Sequence, residues 1–121
     1  MSKTAFNGYW RITRTDGWGQ EALDLIRPAH LRFSGRSGSL VMIAIEAGLD
    51  CRYEKGRVDF SLSGVDERDP IAGRGWATIN KAGKMKGMLF LHDGDETELT
   101  AEKAEAPAEP AREPVRRGKR W

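Results

Sequence analysis

The stretch LDCRYEKGRVDFSLS, residues 49–63, alternates apolar and polar side chains on both sides of a Lys55-Gly56 turn. Leu49, Cys51 and Tyr53 share one face, with Asp50, Arg52 and Glu54 on the other. Beyond the turn, Val58, Phe60 and Leu62 oppose Asp59, Ser61 and Ser63. Successive side chains of a strand point to opposite faces, so this is the signature of two half-buried antiparallel strands. Working outward, short apolar or alternating runs recur about every ten residues with turn signals between them, the pattern of a sandwich or barrel.

Upstream, strands are predicted through Phe6 to Thr15, His30 to Ser34 and Leu40 to Ala47. Between the first two, WGQEALDLIRP brings Ala22, Leu23, Leu25 and Ile26 close enough for a short helical turn, which Pro28 stops. Such a turn can lie across one barrel mouth. The third strand, LVMIAIEA, is apolar on both faces and calls for an outer cover, which the helical segment would supply. Downstream come GRGWATIN around Trp76, MKGMLFLHD from Met85 to Asp93, and DETELTAEK from Asp95 to Lys103. Asp93-Gly94 marks a tight hairpin. Every connection except the first and the fifth is short, so consecutive strands should pair as a meander. Eight of them close naturally into a barrel, which removes exposed edges. The predicted fold is therefore all-β: an eight-stranded antiparallel up-and-down barrel over residues 1–103, with one short helical segment after the first strand. A tail over residues 104–121 is expected to be disordered.

That tail, AEAPAEPAREPVRRGKRW, holds three of the five prolines and too little apolar surface to offset the entropy of ordering it. It also holds the excess charge. Residues 1–103 carry fifteen basic and fifteen acidic side chains, whereas the tail carries five and three. A neutral barrel has no general attraction for nucleic acid. No run reaches the 18 or more apolar residues of a membrane span, and MSKTAFNGYWR lacks the apolar core of a secretory signal, so a cytoplasmic location is expected. The only cysteine, Cys51, has no partner for an internal disulfide, which fits that location.

Gly8-Tyr9-Trp10 on the first strand of an eight-strand meander resembles the GxW opening of the lipocalin and wider calycin barrels. The longer pattern of GYW, DLIRPAHLRFSGRSG, FSLSGVDERDPIAGRGWA and LHDGDETELTAEK also resembles a group of small bacterial proteins of unknown function. The resemblance implies a barrel with Trp10 closing one end. It also implies a basic residue late in the barrel packed on that Trp, for which Lys103 is the counterpart. It implies no activity.

In a meander the connections alternate between the two barrel ends. One end should collect the loop after the first strand, an Ala47 to Asp50 turn, the loop Gly64 to Gly73 and the Asp93 to Asp95 turn. Its acids are Asp16, Asp50, Asp66, Glu67, Asp69, Asp93, Asp95 and Glu96, opposed mainly by Arg68 and Arg74. The other end should collect Arg36, Lys55, Arg57, Lys81, Lys84 and Lys86 against Glu54. An acidic mouth attracts a cation, a basic peptide or a cationic small molecule, although turns favour Asp, Lys and Gly for solubility alone. Asp66, Glu67 and Asp69 could instead orient Arg68 and Arg74 by ion pairing.

Chemistry beyond binding finds little support. The acids of DERD and DGDE do not follow the spacing of an EF-hand. His30, His92 and Cys51 lack the paired spacing of a zinc site, and Cys51 should pack inward as a small hydrophobe. His92, beside Asp93 and Asp95, is either a functional base or the fastener of its hairpin. No metal or cofactor is expected. Trp10 and Trp76 would line any small apolar ligand inside the barrel, or else fill its core. The expected function is non-enzymatic binding of a small apolar or cationic ligand, or of a partner protein, at the acidic loop end. The residues expected to carry it are Trp10, Trp76, Asp66, Glu67, Arg68, Asp69, Arg74 and His92. The alternative is a structural or accessory protein with a filled barrel that acts through the basic tail, residues Arg112, Arg116, Arg117, Lys119 and Arg120. Nucleic acid through that tail is disfavoured, and no membrane partner is expected.

Overall fold

Gly8–Thr15 (β1) and Glu96–Ala104 (β8) lie antiparallel, and their pairing closes the sheet on itself. The computed structural model describes residues 5–92 and 94–106. Between the closing strands come Gln20–Leu23 (α1), His30–Ser34 (β2), Ser37–Met42 (β3), Ile45–Glu54 (β4), Arg57–Asp66 (β5), Asp69–Ile79 (β6) and Lys84–Leu91 (β7). Each strand pairs with the next, giving a closed eight-stranded antiparallel barrel. The residues quoted first behave as their alternation demands. Leu49, Cys51, Val58, Phe60 and Leu62 are buried, while Asp50, Arg52, Asp59, Ser61 and Ser63 are exposed.

Four hairpins turn in two residues, at Gly35-Arg36, Ile43-Ala44, Lys55-Gly56 and Glu67-Arg68. Lys55 and Gly56 both have positive φ (54° and 78°), which a turn matched to the twist of its strands requires. Two of these hairpins correct the sequence expectations. LVMIAIEA is not one strand but the end of β3, a turn at Ile43-Ala44 and the start of β4. Apart from Glu46 it is apolar, because the tip is itself held against the barrel. Ile43 N donates to Leu23 O at 2.7 Å, and Leu23 is fully buried, so α1 does lie across this end. The expected loop from Gly64 to Gly73 is likewise absent, because β5 and β6 pair through to Asp66 and Asp69 and only Glu67 and Arg68 turn. The Ala47 to Asp50 segment is strand interior. Asp50 pairs with Ser37 and lies 4.0 Å from Arg36 at the basic end, not at the acidic one.

Long side chains and glycines share the interior. Phe6, Trp10, Phe33 and Phe60 are each at most 4% exposed, with Phe33 centred 6.3 Å from Phe6 and 6.2 Å from Phe60. Opposite them β6 turns Gly73, Gly75 and Ala77 inward. A Cβ on Gly75 would lie 2.7 Å from the Phe60 ring, so the glycine leaves room that the phenylalanine fills. Trp76, expected inside, therefore points outward and is only half-buried. Phe90 on β7 does the same.

The connection from β1 to β2 is fastened by one ion pair. Arg11 on β1 donates Nη1 and Nη2 to the two oxygens of Asp24, at 3.0 and 2.6 Å, and Asp24 Oδ1 also accepts from Ala29 N at 2.8 Å. The Arg11 hydrogen bonds hold the Asp24 carboxyl below the usual carboxylate range. A carboxyl depressed in the folded state adds stability that is complete above its unfolded value, roughly pH 4, and vanishes as pH falls through the folded value. Asp24→Asn should therefore lower stability at neutral pH by about 1 kcal/mol, the scale of a solvent-screened bidentate pair. Urea midpoints taken from neutral to acid pH should converge on those of the parent protein. A constant gap at all pH values would show that the charge is not the cause.

Candidate functional site

Because β6 outruns β7, the barrel has a local edge at its acidic end. β6 pairs with β5 from Asp69 to Thr78, but its pairing with β7 starts only at Gly73–Leu91. His92 N adds one more bond to Ala72 O at 2.9 Å. Among the described residues, 69–71 have no strand partner on that side. Backbone groups alternate sides along an antiparallel strand, so Pro70 faces the same open side as Ala72. Pro70 lacks an N–H, which leaves no orphan donor and blunts the edge against uncontrolled strand addition.

Beside this edge runs a groove of about 690 Å³, broadly open to solvent, lined by Ser63, Asp66, Asp69, Pro70, Ile71 and His92 among others. Its volume is within the roughly 300–1,000 Å³ of ligand sites, yet it is a surface channel and not an enclosed cup. Val65, cross-strand from Pro70, is 42% exposed. Among the described residues no ion pair engages Asp66, Glu67 or Asp69, so the acids do not orient Arg68 or Arg74.

The structure thus brings together three of the expected site residues, Asp66, Asp69 and His92. Glu67 and Arg68 form the adjoining hairpin tip, where Glu67 N donates to Ala44 O at 3.1 Å and ties it to the β3–β4 tip. The others lie elsewhere. Arg74 leaves the acidic cluster for the barrel's outer face, its guanidinium 4.4 Å from the centre of the Phe90 ring. Trp76 is on that face as well, under Arg57 at 4.6 Å. Trp10 is inside, its Nε1 donating to Phe6 O at 2.8 Å, with Lys103 Nζ 4.9 Å from its ring centre and also bonded to Asn7 O. Pro70 and Val65 were not singled out in the sequence. Pro70 carried a usable signal, since proline inside a strand pattern marks an edge.

Among the described residues, no three of His, Cys, Asp and Glu converge on a point that could hold a metal ion. Cys51 is fully buried, and burial pushes its thiol up to about 11. At pH 8 it should react with a thiol reagent at least about a hundredfold more slowly than a free cysteine, because the thiolate is the nucleophile. Labelling should appear only as urea unfolds the chain. Fast labelling of the folded protein would show a reactive thiol after all. No helix among the described residues is long and apolar enough to cross a membrane. Asp93 and the basic tail, from residue 107 on, lie outside the described residues. Comparison with protein-family models, curated proteins and solved structures finds no match for this chain.

Proposed function

We propose that this chain is a calycin-like binding module that takes up an extended, basic segment of a partner protein in the groove beside β6. The observation that carries this is the open edge at residues 69–71, flanked by Asp66 and Asp69, which have no cationic partner among the described residues. An open channel suits an extended peptide better than a compact small molecule. Pro70 and Ile71 line the groove beside the carboxylates and offer apolar contact there. Burial of Phe6, Trp10, Phe33 and Phe60 favours an interior filled by the barrel's own side chains over an apolar ligand carried inside. The Lys103 contact on Trp10, together with the eight-strand meander, supports the calycin-like part of the proposal.

The test is fluorescence anisotropy of a labelled peptide alternating Lys or Arg with Val, titrated with the full chain at low and high salt. Binding should weaken as salt rises, and D66N/D69N should loosen it about tenfold or more, the scale of two charge-assisted contacts. Binding that ignores both salt and the double variant, or no binding at all, would refute the groove as a site for basic segments.

A further inference from the structure

The outer face of β6, β7 and β8 carries the side chains that a free surface seldom holds together. Trp76, Met88 and Phe90 sit at neighbouring positions, with Trp76 paired to Met88 across the β6–β7 ladder and Phe90 paired to Arg74. All three are half-buried, and no helix among the described residues packs over β6, β7 or β8. Arg57 stacks on Trp76 and Arg74 on Phe90, at 4.6 and 4.4 Å. Aromatic residues, Met and Arg are the types enriched at the centres of protein interfaces, and Trp and Arg supply most binding hot spots.

Charge on this face decides the occupant. Arg57, Arg74 and Lys86 are balanced by Asp59, Glu96 and Glu98, so the face has no net attraction for a phosphate polymer. The two signs are also sorted by strand. Along one cross-strand row lie Arg74 on β6, Phe90 on β7 and Glu96 on β8; along the next lie Trp76, Met88 and Glu98. A two-fold axis running along β7 exchanges β6 of one molecule with β8 of another while keeping the rows aligned. Arg74 then meets Glu96 of the second copy, and Phe90 and Met88 meet their own counterparts. Lys86 also meets itself, but at the margin, where its long side chain can turn to water. The face is complementary to itself, as an isologous dimer requires, and aligned sheets pack in this way at roughly 30°.

We propose that this face is a homodimer interface, with a second copy of the chain as its partner and Arg74 paired to Glu96 between subunits. Sedimentation velocity on the full chain, over about a hundredfold range of concentration, reads the equilibrium by mass action. The parent protein should pass from monomer to dimer. Arg74→Glu and Glu96→Arg should each loosen association about tenfold or more. The double variant R74E/E96R should restore it, because the reversed charges meet again across the axis. Circular dichroism melts of all three should match the parent at a concentration where the parent is monomeric, since both side chains are exposed. A parent protein that stays monomeric throughout would overturn the proposal, as would single variants that dimerise like the parent. A dimer lost in both single variants and not regained in the double variant would overturn the axis and hence the proposal.

Discussion

Replacing Phe33 with alanine is expected to lower the unfolding free energy by about 3–5 kcal/mol, the usual cost of deleting a buried aromatic ring. Phe33 is 1% exposed and touches rings on two sides, Phe6 from the N-terminal segment and Phe60 from β5. It sits where the interior is widest in aromatic volume, so its loss leaves a hole that the stiff barrel cannot close. Against a total of about 5–15 kcal/mol for a domain of this kind, the variant should still fold in the cold, with a much lower urea midpoint at unchanged slope. The hole gives a second readout. An apolar cavity of that kind stays dry and admits a small aromatic molecule. Benzene should therefore raise the melting temperature of Phe33→Ala and leave the parent protein unmoved. Equal stabilisation of both would mean that the parent barrel already has an open interior, and would return the internal ligand to the proposed functions.

The strand pairs of this barrel were legible wherever alternation was strict and the turn carried glycine, as in residues 49–63. The β3–β4 hairpin was not, because Ile43 and Ala44 are apolar. The tip is fixed by a backbone bond to Leu23, which no local pattern announces. Ile43 also takes φ 58°, a conformation that composition gives no reason to expect of a β-branched residue. The Gly64 to Gly73 segment failed in the opposite way. Its Asp, Pro and Gly read as loop, yet Gly64 and Gly73 face inward against neighbouring backbone, where only a glycine fits. The same effect turned Trp76 outward. In GRGWA the inward positions are Gly, Gly and Ala, so the residue with the strongest hydrophobic signal is on the wrong side of the strand for a core. Asp66, Asp69 and His92 were found because the alternation of connections fixes which end each hairpin joins. The argument failed for Asp50, because the turn expected at Ala47 to Asp50 lies at Ile43-Ala44 and leaves Asp50 near the other end.

Those inward glycines lead to the second large effect. Gly87 on β7 pairs with Ala77 on one side and Leu99 on the other, and a Cβ there would lie 2.2 Å from Trp76 O and 3.1 Å from the Ala77 Cα. Both are backbone atoms of a paired strand and cannot swing away as a side chain would. Gly87→Ala should thus cost about 3 kcal/mol, the upper end of overpacking penalties, for one added methyl. Gly48 provides the contrast within the same sheet. It faces outward on β4 with nothing within 4 Å of its ideal Cβ, so Gly48→Ala should add about 0.4–1 kcal/mol by reducing the entropy of the unfolded chain. Urea unfolding of the two variants would then move in opposite directions. If both changes were small and equal, the close approach of β6 and β7 would not be what bends this sheet into so narrow a barrel. If they diverge as expected, the bend that excludes a side chain at Gly87 is also the one that sends Trp76 outward, since the carbonyl pressed against Gly87 is that of Trp76 itself. The narrow core and the aromatic outer face would then share one cause.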